Sequence, residues 1–243
     1  MFDIKFYETV VSTNDTVRSL PTGSLVWADE QTSGRGQRGN SWESEPGANL
    51  TFSFTVAPSG LRMERAFALS EAVSLAVVET LGDVGVEARI KWPNDIYVGD
   101  RKICGILIEN TVRANGYVSL SVVGVGLNVN QRIFTGDAPN PVSLAQLTGG
   151  SCDRESLLLS FCRRFERLYG MAENDYDAMH GIYMDALYRS DGAYPFREAA
   201  TSQRQGRLFY ARILSVAPDG EITLEEADGS RSGYYFKEME FVL

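Results

Sequence analysis

Apolar residues recur at every second position in several short runs. Phe2, Ile4 and Phe6 alternate with polar neighbours, which predicts a strand over residues 1–8. Residues 24–30 predict a second strand. Residues 49–56 predict a third, with Leu50, Phe52, Phe54 and Val56 on one face. Between the first two stand Ser12, Thr13 and Asn14, types preferred at helix N-caps, so a short helix is expected from about Thr13 to Leu20, stopping before Pro21. Residues 64–81 are mostly apolar and predict a buried helix packed on a sheet, with Gly82 as its C-cap. Residues 88–92 predict a strand, broken by Pro93-Asn94-Asp95. Residues 96–98 and 102–109 flank a hairpin turn at Gly99-Asp100. Asn115-Gly116 predicts a type I′ turn joining residues 103–112 to 117–125. Gly124 to Asn130 closes the sheet, and its glycines imply close approach of the backbone to a ligand or neighbour.

A loop follows over 134–141. Asp153 is placed to cap a helix over 154–172, with Leu157, Leu158, Phe161, Phe165 and Leu168 inward and Glu155 and Glu166 outward. Residues 176–188 continue helical. From Pro195 onward the runs shorten to 207–216, 221–225 and 231–236, separated by turn residues, which suggests a small β-barrel. Helices interleaved with antiparallel hairpins, then a β unit, make an α+β fold. The change of composition near Asp191-Gly192 divides the chain into domains 1–191 and 192–243.

Residues 31–42, QTSGRGQRGNSW, fit neither period. Glycine lets this loop approach a ligand closely. Arg35 and Arg38 offer planar forks suited to carboxylate or phosphate. The loop reads as a flexible anion-binding lid, or as a solvated loop with no specific role for its arginines. Gly34, Gly36 and Gly39 also match G-x-G-x-x-G, but no helix opens after them. Ser59-Gly60 stands where a dinucleotide site needs an acid.

Composition narrows the picture. The chain of 243 residues is 44% hydrophobic, enough for a full core, and carries a formal net charge of −9. That charge argues against general nucleic-acid binding. Positive charge is local, at Arg35 and Arg38 and then at Arg89, Lys91, Arg101 and Lys102, which fits a pocket for a small anion. No apolar run approaches the roughly eighteen residues of a membrane span, and the charged N-terminus excludes a secretory signal. Cys104, Cys152 and Cys162 are odd in number and far apart, so neither a disulfide framework nor a zinc site is expected, and a cytoplasmic protein with reduced thiols is. His180 is the only histidine. It reads as a packing or surface residue, and a Ser-His or Cys-His pair has little to stand on.

The motifs S-T-N at Ser12–Asn14, G-R-G-x-R-G-x-x-W ending at Trp42, K-W-P-N-D from Lys91 to Asp95, D-R-K-x-x-G-I-L-x-E ending at Glu109, and G-x-G-x-N ending at Asn128 stand in one order. Together they closely resemble bacterial biotin protein ligases, the biotin–[acetyl-CoA-carboxylase] ligases, over most of residues 1–130. The resemblance implies a catalytic domain like those of class II aminoacyl-tRNA synthetases, with a mixed sheet, and a small C-terminal SH3-like barrel. It implies a two-step reaction. Biotin and MgATP give biotinoyl-5′-AMP, and a lysine of a biotin carboxyl carrier domain then captures the biotinoyl group. Lys102 matches the lysine that contacts the carboxylate and α-phosphate. Arg35 matches the loop arginine that clamps the anhydride. Ser12, Thr13, Asn14, Gln31, Gly36, Gln37 and Gly105 join Arg35 and Lys102 around biotin, where a neutral bicyclic urea is best read by polar groups in an apolar pocket. Ile106 and Leu107 would form its wall.

Trp42 matches a tryptophan stacked on adenine, or is a loop anchor packed on the core. Asn128, Asn94 and Lys91 are assigned to the nucleotide. Asp95 is either the base that takes the acceptor lysine's proton or a turn residue after Pro93. No protein metal site is implied, and a homodimer is compatible with the resemblance. Two departures stand out. No DNA-binding module precedes the first strand, as the repressor members of the family have. Gln37 replaces an arginine common in relatives. The rival readings are a lipoate ligase or octanoyltransferase, which shares the fold, and a non-catalytic biotin sensor.

Overall fold

The structure is a computed structural model that describes residues 2–37, 41–136, 138, 140–199 and 206–243. Numbered in chain order, seven strands form one mixed sheet. Their spatial order is β1 (Asp3–Val10), β2 (Ser24–Gln31), β3 (Leu50–Val56), β7 (Val118–Leu127), β6 (Arg101–Val112), β5 (Asp95–Val98) and β4 (Arg89–Lys91). β1 and β2 run parallel, and every other pair is antiparallel. A parallel pair needs a crossover, and α1 (Thr13–Arg18) makes it.

The two faces of β3 show how the sheet is used. Phe52 and Phe54 face α2 (Phe67–Gly82) and α4 (Arg154–Asn174), with ring centroids 4.9 Å from Phe161 and 4.8 Å from Phe165. Thr51, Ser53 and Thr55 alternate with them, yet are buried as well. α1 lies against β2, β3 and β7. A strand buried on both faces with one face polar reserves that face for hydrogen bonding.

β8 (Ala193–Glu198), β9 (Leu208–Val216), β10 (Ile222–Glu226), β11 (Arg231–Tyr234) and β12 (Met239–Phe241) form a second, antiparallel sheet in the order β11-β10-β9-β8-β12. This is the SH3-like β unit expected. Tyr97, Tyr188, Phe241 and Phe196 touch in succession at 5.4, 6.0 and 5.0 Å, so apolar packing runs from one sheet to the other. The turn before β10 plugs against the catalytic part. Trp92 Nε1 donates to the Gly220 carbonyl at 3.0 Å and Phe67 N to that of Pro218 at 3.3 Å.

Several local expectations need correction. Gly82 is the last residue of α2 and not its cap. Gly85 takes the left-handed backbone (φ +75°), Val86 N donates to Leu81 O, and Gly85 N donates to Gly82 O. That is a Schellman closure three residues later. The start of the segment is a 3₁₀ turn, Met63–Arg65. At Asn115-Gly116 only the glycine has positive φ, +83°, and Gly116 N donates to Arg113 O. The hairpin therefore closes with a turn followed by one left-handed glycine, whereas type I′ needs two such residues. The helix α5 (Tyr176–Asp185) stops before residue 188, because Tyr188 N donates to Ile90 O and Ile90 N to Ala186 O, drawing the chain alongside β4. Just before the edge strand β1, Phe2 reaches Phe54 and Phe165, while Ile4 and Phe6 on that strand stay exposed. A short helix that was not expected, α3 (Leu144–Thr148), starts with a capping box between Ser143 and Gln146.

Candidate active site

Ser12 occupies the N-cap position of α1, but its hydroxyl makes no capping bond. Ser12, Thr13 and Asn14 are all buried. Gln31 Oε1 accepts from Thr13 N at 2.8 Å and lies 3.0 Å from Thr13 Oγ1. Ser53 Oγ lies 2.7 Å from Thr13 Oγ1 and 2.6 Å from Asn14 Oδ1. Asn14 Nδ2 donates to Glu109 Oε2 at 2.9 Å, and Arg18 donates to the same oxygen at 2.9 Å. Gly124 makes room for this. A Cβ there would stand 2.3 Å from Asn14 Oδ1. The uncharged triplet is thus held in a hydrogen-bond cluster, and capping is not its purpose.

Lys102 reaches the same cavity because β6 is bulged. Asp95 pairs with Gly105 and Ile96 with Cys104, but Tyr97 pairs with Lys102, so Ile103 is the extra residue. Strict alternation would put residues 102 and 105 on opposite faces, and one inserted residue restores them to the same face. A Cβ on Gly105 would lie 3.3 Å from Lys102 Nζ. The ammonium is 2.7 Å from Asp95 Oδ1, with both side chains about a quarter exposed or less (27% and 20%). Asp95 is the first residue of β5, so it is more than a turn residue. Asn94 Nδ2 donates to Ile106 O at 2.7 Å and pins the turn to β6.

Trp42 lies on the glycines. A Cβ on Gly126 would be 2.3 Å from its Cε2, and one on Gly105 3.0 Å from its Cζ3. The Lys102 ammonium sits 5.7 Å from the indole centroid. In this state Trp42 is a loop anchor packed on β6 and β7. Its neighbour Glu43 ties the loop down, accepting from Thr135 N at 3.1 Å and Gly136 N at 2.6 Å. These bonds, led by that from Thr135, hold the Glu43 carboxyl below its ordinary range. Arg35 pairs with Asp15 at 2.5 Å and remains half exposed. Arg38 and Gly39 lie outside the described residues.

One cavity gathers most of the expected residues. Ser12, Thr13, Asn14 and Gln31 line it with Arg35, Gly36 and Gln37 from the loop. Trp42, Asn94, Lys102 and Gly105 join them, and Ile106 and Leu107 line it as well. Its volume is about 60 Å³, below the ~300–1,000 Å³ of typical small-molecule pockets, with Trp42 lying across the glycine floor. Lys91, Asp95 and Asn128 do not line it, and Asp95 reaches it only through its pair with Lys102. The Lys91 ammonium rests over the rings of Tyr97 (4.8 Å) and Phe241 (5.4 Å), and burial depresses its pKa. Asn128 donates to Val142 O at 3.1 Å, and Val142 N in turn donates to Lys102 O, so Asn128 braces the backbone behind Lys102. His180 is on α5 and does not line the cavity. The expected residues omit Ser53 and Asp15 and leave Glu109 without a role. The polar face of β3 was the signal for Ser53.

The family model described as the biotin/lipoate A/B protein ligase family matches residues 4–128. The bifunctional ligase/repressor BirA of Bacillus subtilis (strain 168) is 29% identical over 94% of this chain and 71% of its own. The biotin–[acetyl-CoA-carboxylase] ligase of Paracoccus denitrificans is 35% identical over 64% of this chain and 68% of its own. The biotin protein ligase from Aquifex aeolicus in complex with biotin and ATP superposes with a TM-score of 0.80 at 24% identity, covering 98% of this chain and 97% of that one. With half the chain matched by the family model, the mixed sheet shared with these structures, and the glycine-floored cavity built from the matched residues, the chain belongs to the biotin/lipoate A/B protein ligase family.

Proposed function

We propose that this protein is an ATP-dependent biotin protein ligase, and that the cavity lined by Gln31, Arg35, Gly36, Gln37 and Trp42 is where biotin is adenylated. The observation that carries the reading is a division within one cavity. Uncharged polar groups cluster over Gly124, while the indole of Trp42 lies on Gly126, two residues or about 7 Å along the same strand, and Lys102 lies beside Gly105, the cross-strand partner of Gly126. A neutral ring and a reacting carboxylate need such a division.

Biotin's ureido ring is held by Ser12, Thr13 and Gln31, and its carboxylate points toward Lys102. A carboxylate oxygen attacks the α-phosphorus of ATP, the bond to the β-phosphate oxygen breaks, and pyrophosphate leaves. Magnesium accompanies the nucleotide. Two anions meet here, so the cations Lys102 and Arg35 must hold their oxygens together. Asp95 holds Lys102 in place. In the second step an acceptor lysine's ε-amine attacks the acyl carbon, AMP leaves, and the lost proton goes to a base, for which Asp95 is the nearest carboxylate to Lys102. Biotin and nucleotide need more room than the cavity offers, so the loop lifts Trp42 from the glycines, and the freed indole stacks on adenine. Asn128 serves the nucleotide indirectly, through the backbone it braces behind Lys102, and Lys91 through its packing on Tyr97 and Phe241.

The acceptor is the biotin carboxyl carrier domain of a carboxylase, and the protein acts in the cytoplasm on no nucleic acid. Among the described residues, no helix is long and apolar enough to cross a membrane, and the net charge of −9 repels polyanions. A homodimer would pair copies along β6 past Gly105, where β5 no longer covers its edge. Residues 1–191 and 192–243 are the catalytic and C-terminal domains, since one sheet ends before the other begins.

The test is pyrophosphate release from ATP with biotin, lipoate or octanoate. Release with biotin alone is expected, and equal release with lipoate or octanoate would give the protein to the rival branch of the family. Binding of biotin without any release would make it a sensor.

Gln37 adds a second expectation. Arginine there would set a fixed charge and a bidentate fork beside the adenylate, where glutamine offers neutral donors. Charge-assisted bonds are about twice as strong as neutral ones, a difference of about 1–2 kcal/mol. Gln37→Arg should therefore slow release of preformed biotinoyl-AMP by roughly tenfold. Stray biotinylation of bystander lysines should fall with it. An unchanged off-rate at equal salt would mean that residue 37 does not touch the adenylate.

A further inference from the structure

Glu109 closes the D-R-K-x-x-G-I-L-x-E motif, yet it does not line the cavity. Its effect on the cavity is found by following hydrogens. A carboxylate only accepts, so the Asn14 amide must turn its NH₂ to Glu109 and its oxygen to Ser53. At the other end the backbone N–H of Thr13 requires the oxygen of Gln31 to face it. Between these two fixed oxygens lie three oxygen–oxygen contacts: Asn14 to Ser53 at 2.6 Å, Ser53 to Thr13 at 2.7 Å, and Thr13 to Gln31 at 3.0 Å. Only two hydroxyl protons, those of Ser53 and Thr13, are available to fill them. The chain is one hydrogen short, and it is buried: Ser53, Thr13 and Asn14 are 0%, 4% and 4% exposed. An oxygen pair at such a distance without a proton is unfavourable in a buried site.

We infer that Glu109 is a positioning residue: by fixing the Asn14 amide with its oxygen toward Ser53, it leaves the ring end of the cavity short of one donor, so that a ligand must bring an N–H to complete it. A cyclic urea carries two such N–H groups, and a dithiolane or alkyl chain carries none. The inference rests on the biotin reading above and supplies its selectivity. Were residue 109 an amide, it could turn its own NH₂ toward Asn14 and leave its oxygen to Arg18, the Asn14 amide could turn over, and the Asn14 NH₂ would then meet the shortage from within. The demand for a ligand donor would then disappear.

The experiment is calorimetry of biotin with the full chain, its Glu109→Gln and Ser53→Ala forms, and the double variant, together with pyrophosphate-release kinetics. Losing the equivalent of one buried hydrogen bond predicts a biotin Kd about tenfold weaker in Glu109→Gln. Since Glu109 touches no reacting atom, KM for biotin should rise while kcat and KM for ATP hold. The melting temperature should not fall, because the internal shortage has been relieved. Ser53→Ala interrupts the chain between Glu109 and Thr13, so adding Glu109→Gln to it should weaken biotin no further. A rise in Kd below threefold for Glu109→Gln, or effects that multiply in the double variant, would overturn the inference. So would a fall in kcat with Kd unchanged. Should Glu109→Gln not fold, Ser53→Ala decides alone. It leaves the Thr13 proton to Gln31 and removes the shortage, so biotin should again bind about tenfold more weakly, and unchanged binding would overturn the inference. If the natural chain itself binds no biotin, the ligase reading falls first, which separates the two failures.

Discussion

Lys102→Ala should lower biotin-dependent pyrophosphate release by about 10²–10³ while the fold survives. Fold survival follows from what the residue does with its backbone. Lys102 N donates to Asn140 O, and its carbonyl accepts from Val142 N, bonds that alanine keeps. The bulge at Ile103 is likewise set by pairing and not by the lysine side chain. What is lost is a cation held by Asp95 at 2.7 Å, beside the place where carboxylate and phosphate meet. Charge that develops on oxygens in the transition state is worth roughly 3–4 kcal/mol per well-placed donor, which is the stated loss in rate. Two anions brought together without that cation repel, so the loss should fall on kcat. Biotin binding without ATP should change much less, because Thr13, Gln31 and Ser53 are untouched. Lys102→Arg should not rescue, since the lysine terminus already fills the space over Gly105, where an added Cβ would stand 3.3 Å from Nζ, and the guanidinium is larger. Single-turnover release, with the protein in excess over biotin and ATP saturating, is the measurement. A rate near that of the natural chain would show that Lys102 is a hairpin surface charge.

The reach of the sequence can be judged on these same residues. Alternation in Leu50–Val56 gave β3 and its apolar face, because a period of two is a property of the strand itself. It did not say that the Thr51-Ser53-Thr55 face would be buried too, since that depends on where α1 lands. Ser53, which joins Thr13 to Asn14, was therefore missed. The order of motifs brought Lys102, Arg35, Thr13 and Gln31 into one site, and one cavity contains them. The bulge that turns Lys102 onto the face of Gly105 has no letter code, because it is a difference in register between two strands. Lys91 is assigned to the nucleotide as the first residue of the K-W-P-N-D motif. Its side chain instead meets Phe241, from a strand 150 residues later, and no local pattern could place that ring. Gly82 and Gly85 are equally good terminators by composition. The choice went to Gly85 because Val86 folds back to Leu81.

Glu71→Gln should stabilise the protein at pH 8 and make little difference near pH 4.5. Glu71 is on α2, and its side chain is fully buried. Its Oε1 meets His180 Nδ1 at 3.0 Å and the hydroxyl of Tyr176 at 3.3 Å, both on α5. Oε2 has no hydrogen-bond partner among the described residues, and neither has the buried hydroxyl of Tyr183 nearby. Burial raises the carboxyl from its ordinary 4.5 to about 7, and attraction to His180 offsets only part of that. The sign follows from proton counting. Between these two values the folded state holds a proton that the unfolded state has lost, so stability falls as pH rises through the window. Below 4.5 both states are protonated and the group contributes nothing. Above 7 the whole penalty is present, about 2.5 pKa steps or roughly 3 kcal/mol. Glutamine keeps the shape and an oxygen for His180 but carries no charge. Its melting temperature at pH 8 should therefore exceed that of the natural chain by roughly 6–10 °C for a protein of this size, with the gap closing toward pH 4.5. Arg65, over the ring of Tyr176 at 5.3 Å, is unchanged by the substitution. A glutamine variant that melts lower at pH 8 would show that the ion pair with a protonated His180 outweighs the cost of burying the carboxylate.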